Sequence, residues 1–156
     1  MSRLPEHIHW FSWNTRISLE LPIGFEEEQE DAESATAIYA DDPDDDGNPI
    51  ARVMARTVAL PTGAPDDSFR RLAHEAASMD GHTVIASHEL EIDGMPAVRQ
   101  LLRQYYEESE VIRHETYAQA ANLVFTIIAL TSADRQDDYL SAFDHAADTA
   151  RFILLP

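Results

Sequence analysis

A chain of 156 residues is the size of one ordinary domain, and with 44% hydrophobic residues it can build a core. Its 29 acids and 11 bases leave a formal charge of −18, which opposes phosphate-backbone binding and excludes nucleic acid as an expected partner. Cysteine is absent, which excludes disulfides and thiolate chemistry, and no run approaches the roughly 18 apolar residues of a membrane span.

All 11 basic residues are arginine. The charge is uneven: between Glu26 and Asp46 there are eleven acids and no base, so this stretch carries −11 of the −18. The opening Met-Ser-Arg-Leu-Pro-Glu-His has no apolar stretch behind its arginine and does not read as a secretory signal, so the expected location is cytoplasmic. The expected organisation is one domain over 1–156. Residues 1–15 form an N-terminal arm or edge strand, and 26–34 and 41–49 form acidic loops within a mobile rim.

In chain order, His9 to Trp13 is aromatic enough for a short strand. Ile17, Leu19 and Leu21 alternate with Ser18 and Glu20, the period of a half-buried strand that stops at Pro22 and Gly24. Residues 35–40 and 51–60 read as strands around a turn-rich hairpin loop. Asp66 or Asp67 is placed to cap a helix whose apolar face is Phe69, Leu72, Ala73, Ala76 and Met79, with Gly81 just past its end. Strands are predicted over 83–92, 97–107, 111–120 and 123–131, joined by short turns that demand antiparallel pairing. A final helix over 134–154 starts in acid, which suits the positive end of its dipole. The fold class is therefore α+β: an antiparallel sheet of about six to seven strands flanked by two amphipathic helices, an α/β/α sandwich.

Two segments carry a resemblance. Ile17-Ser18-Leu19-Glu20-Leu21-Pro22-Ile23-Gly24-Phe25 and the turn Ile92-Asp93-Gly94-Met95-Pro96-Ala97, set in this order of elements, resemble the PsbP-like/Mog-like superfamily of α/β/α sandwiches. That superfamily includes photosystem extrinsic subunits, a Ran-binding import factor, DcrB-type lipoproteins and Eag-type effector chaperones. The resemblance implies binding more than catalysis. The missing cysteine argues against the lipid-anchored branch.

Candidate chemistry is sparse. Asp42, Asp44, Asp46 and Gly47 match the first half of a calcium-loop pattern, but Val53 stands where the bidentate glutamate belongs, so an acidic hairpin tip is the expected reading. His7 and His9 share a strand face without an identifiable third ligand. No nucleophile elbow or phosphate-cradling glycine loop occurs, so no catalytic residue, metal or cofactor is assigned.

The strongest constellation is arginine and tyrosine on strands. Arg99, Leu101, Arg103 and Tyr105 alternate onto one face, Val111, Arg113, Glu115 and Tyr117 share a face of the next strand, and Arg52 and Arg56 share one earlier. Two readings stand: cross-strand pairing of Arg103 or Arg113 with Glu107 or Glu115, or a partner-binding surface of Arg99, Arg103, Tyr105, Arg113 and Tyr117. The expected function is a non-catalytic protein- or peptide-binding domain, an adaptor or chaperone without a membrane partner, and a homodimer that covers its sheet edges. The alternatives are a small-molecule or lipid carrier, with Ala73, Ala76, Ala77, Ala146, Ala147 and Ala150 leaving room beside the helices, and an enzyme of unrecognised type.

Overall fold

The computed structural model describes residues 6–41, 51–106 and 108–153. Its elements are β1 (His7–Ser12), β2 (Ile17–Pro22), β3 (Glu26–Asp31), β4 (Thr36–Ala40), β5 (Ala51–Ala59), α1 (Ser68–Ala77), β6 (His82–Ile92), β7 (Met95–Tyr106), β8 (Ser109–Ala120), β9 (Leu123–Ser132), α2 (Gln136–Asp148) and β10 (Arg151–Phe152). All pairings among the described residues are antiparallel. The expected sheet of six to seven strands is instead ten strands in two sheets: β1-β2-β10, and β3-β4-β5-β9-β8-β7-β6.

The register puts one helix on each face of the large sheet. On one face, α1 packs over β7 and β8, with Phe69 and Ala73 against Val98, Tyr117 and Val124. On the other, α2 and the three-stranded sheet together bury the main core, in which Phe143 and the β2 residues Ile17, Leu19 and Leu21 meet Tyr39, Val53, Phe125 and Ile127. That is why β2 is buried on both sides, Ser18 included, rather than half-buried as its alternation predicts. Burying these large side chains supplies roughly 1.5–3 kcal/mol each.

Four expectations change in detail. Residues 26–31 are not loop but the edge strand β3, whose four glutamates stay exposed, with Asp31 half-buried, because only β4 pairs with it among the described residues. The last helix ends at Asp148 rather than Leu154. Thr149 Oγ1 donates to His145 O at 2.7 Å, and the chain then turns into β10, where Phe152 stacks on Phe125 and its N–H donates to Asp93 Oδ2. Neither Asp66 nor Asp67 caps α1 with its side chain. Gln119 on β8 does that work instead, its Oε1 accepting the Phe69 N–H at 3.0 Å. Met79 lies beyond the helix and is 61% exposed. The calcium-like pattern Asp42–Gly47 falls outside the described residues.

Between β6 and β7 the two-residue turn Asp93-Gly94 has positive φ at both positions (51° and 77°), which a tight antiparallel hairpin requires. This turn sets the register that carries β6 out along β7 as the last strand of the sheet.

Candidate functional site

The five residues of the expected Arg/Tyr surface do not form one surface. Tyr106 pairs with Ser109, and this register sets Arg99 opposite Thr116 and Arg103 opposite Ile112. Arg99, Arg103 and Tyr105 therefore face α2, whereas Arg113 and Tyr117 point to the α1 side. Arg52 and Arg56 share that α1-side face, where Arg52 forms a two-pronged pair with Glu28.

Most of these side chains are spoken for internally. Arg99 is 8% exposed and held by Asp148 Oδ1 at 2.8 Å, Asp144 Oδ1 at 3.6 Å and Thr116 Oγ1 at 3.2 Å. On the opposite face Glu115 is fully buried. One oxygen accepts from Gln100 Nε2 (2.8 Å) and Tyr117 Oη (2.9 Å), the other from Arg113 Nε (2.7 Å). Gln100 also donates to Ala73 O, so this network clamps α1 to the sheet. Burial, then the Glu115 charge, pushes the Tyr117 phenol far up. Arg113 does pair with Glu115, but along one strand, β8; the pair across strands is Arg103 on β7 with Glu110 on β8, in place of the expected Glu107 or Glu115.

What remains open is Arg103, half-exposed, and Tyr105, 60% exposed, beside the free edge of the sheet. That edge is β6, a feature that sequence reasoning missed. Every residue from Thr83 to Glu89 is exposed, and Val84, Ile85, Met79 and Tyr105 gather large apolar surface at its start. Its outer side has no strand partner among the described residues. A bulge at Ile85 interrupts the register, after which Ala86 to Ile92 runs regularly.

A cleft flanks β6 on each face. Towards α2, one of about 140 Å³ is lined by Ala86, His88, Leu101, Leu140, His114 and the Arg99–Asp144 pair. There His114 Nε2 lies 2.7 Å from Asp144 Oδ1, and burial pulls the imidazole pKa below its ordinary value. Towards α1, a second of about 330 Å³ is lined by Arg70, His74, Ala77, Val84, Ser87 and Glu89. Of the alanines expected to leave room beside the helices, Ala146, Ala147 and Ala150 are buried, whereas Ala73 and Ala77 line the 330 Å³ cleft.

A third cleft, about 550 Å³, lies between β1, β2 and α2. His7 stacks on His145 at its rim, with ring centroids 4.0 Å apart, and Tyr139 Oη donates to Asp41 Oδ2 at 2.5 Å. His9, the other half of the suggested histidine pair, is exposed across from Glu20. Among the described residues no three His, Asp or Glu side chains are grouped to hold a metal.

No family model and no curated protein matches the sequence. Solved structures do. The chain is similar to LpqN of Mycobacterium tuberculosis, a protein involved in cell envelope biogenesis, with TM-score 0.75 and 12% identity over 96% of this chain and 91% of that one. It is similar to the cyanobacterial PsbP of Synechocystis, with TM-score 0.64 and 14% identity over 97% and 95%. It is also similar to protein PA94 of Pseudomonas aeruginosa, of unknown function, with TM-score 0.62 and 15% identity over 97% and 99%. The chain has the PsbP-like fold that its strand end and turn resemble.

Proposed function

We propose that this chain is a non-catalytic protein- or peptide-binding domain whose partner docks along the β6 side of the large sheet. The observation that carries the reading is the long, exposed β6 edge with a cleft on each face, next to the half-open Arg103 and Tyr105. Sheets seldom leave such an edge open without charge, proline or a cover. Among the described residues no helix is long and apolar enough to cross a membrane.

Capture from native lysate followed by mass spectrometry tests it. A partner enriched over a charge-matched control, and lost when Val84 and Ile85 are both changed to Lys, supports the reading. Equal capture by that variant and the wild type overturns the β6 location.

A second reading, a small-molecule carrier, rests on the 550 Å³ cleft, where Pro22, Phe25 and Tyr139 supply an apolar wall beside the two imidazoles. Native mass spectrometry distinguishes the two, since a carrier purifies with a bound small molecule and a peptide-binding domain does not.

A further inference from the structure

The chemistry of the edge says what kind of segment fits it. In the regular stretch after the bulge, Ala86, His88 and Leu90 face the α2 side, and Ser87, Glu89 and Glu91 face the α1 side. The α2-side cleft offers Ala86, Leu101 and Leu140 to an apolar side chain. The α1 side offers carboxylates two residues apart: Glu89, partly engaged by Arg70, and the exposed Glu91. A strand added here would place its alternate side chains over these two surfaces in turn.

We infer, building on the binding role proposed above, that β6 accepts an extended peptide segment as an eighth, antiparallel strand. The segment alternates basic residues, set against Glu89 and Glu91, with apolar residues set into the Leu101–Leu140 cleft. The chain's charge of −18 draws such a segment in. A second copy fits worse. Two-fold pairing that uses all of Ala86–Ile92 is centred on Glu89 and sets it against its own duplicate, like charge against like charge. The homodimer expected from uncovered edges is not the occupant that this edge is built for.

The test uses the full chain and a fluorescent, end-blocked heptapeptide of alternating arginine and valine, read by anisotropy. Two N-methylated versions are compared, one methylated at the valines and one at the arginines. Strand addition presents only one set of amides to β6, so one version loses binding and the other keeps it. Glu91→Lys is expected to weaken binding about tenfold, whereas Glu26→Lys on β3, with the same change in net charge, leaves it within about twofold. Equal loss in both methylated peptides, or equal weakening by both substitutions, overturns strand addition in favour of diffuse electrostatic attraction. A dimer in light scattering that Glu91→Lys dissociates overturns it in favour of a second copy. If the lysate partner is still captured at β6 while the peptide shows no asymmetry, strand addition fails and the binding role stands. If neither is seen, both fall.

Discussion

β3 and β6 close the two ends of one seven-stranded sheet with opposite chemistry. β3 is six residues long, carries five acids and has a register break between Glu27 and Gln29, so another strand meets repulsion and broken spacing. β6 is eleven residues long and also bulges, at Ile85, but its register then runs unbroken from Ala86 to Ile92 and its carboxylates come only at Glu89 and Glu91. Support differs as well. α1 packs on β6, β7 and β8 and is clamped there through Gln100 and Glu115, whereas among the described residues β5 meets that cluster on the same face only through the partly buried Val58. One edge is guarded by charge; the other, backed by α1, has no strand partner on its outer side among the described residues.

The largest effect that can break this comparison lies at Glu115. Removing a fully buried carboxyl leaves Arg113, Gln100 and Tyr117 without their shared acceptor, and Glu115→Ala should cost about 3–5 kcal/mol in urea denaturation. Hydrogen exchange should show the loss concentrated in α1 and β6–β8. Equal loosening of β3 and β4 would mean that the two ends do not differ in support.

Next comes the guard itself. Changing Glu26, Glu27, Glu28 and Glu30 to Thr should turn β3 into a second adhesive edge, with at least a doubling of apparent mass in light scattering as concentration rises. A variant that stays at the wild-type mass would show that the bulge, not the charge, protects this edge.

The two ends also answer to opposite extremes of pH. His114, at the β6-side cleft, has a folded pKa below its unfolded value near 6.5, so its contribution is full above that value and is lost as pH falls through the folded pKa. The slope is at most on the order of 1.4 kcal/mol per pH unit, and His114→Gln should remove it. Near β3, burial and the Glu27 and Glu30 charges push the Tyr39 phenol up to about 12. Its contribution is full below the unfolded pKa near 10 and is lost as pH rises through about 12. Absorbance titration should show Tyr39 ionising earlier in Glu27→Gln.

The smallest expected effect is at Glu28. Its pair with Arg52 is exposed on both sides, so Glu28→Gln should change stability by no more than about 0.5 kcal/mol. A larger loss would give β3 a structural anchor that its exposure does not suggest.

Much of this fold is legible in the chain because alternation, turn residues and helical spacing are local. The run from Thr83 to Thr131 reads as four antiparallel strands since short turns such as Asp93-Gly94 leave no other option, and the helix around Phe69 follows from its apolar spacing. The Leu-Pro-Ile-Gly-Phe and Ile-Asp-Gly-Met-Pro segments carry the PsbP-like resemblance that the solved structures bear out as a fold. What only the tertiary structure decided is which side chains share a space. Alternation divides a strand into two faces, but the Tyr106–Ser109 pairing joins even positions of β7 to odd positions of β8, and so parts Arg99 and Arg103 from Arg113 and Tyr117. The acidic Glu26–Asp31 becomes a strand because β4 offers it hydrogen bonds, a long-range condition that composition does not encode. β6 is an edge for a similar reason: sheet order depends on where β9 inserts, between β5 and β8, and that is settled by burying its apolar run on both faces of the sheet.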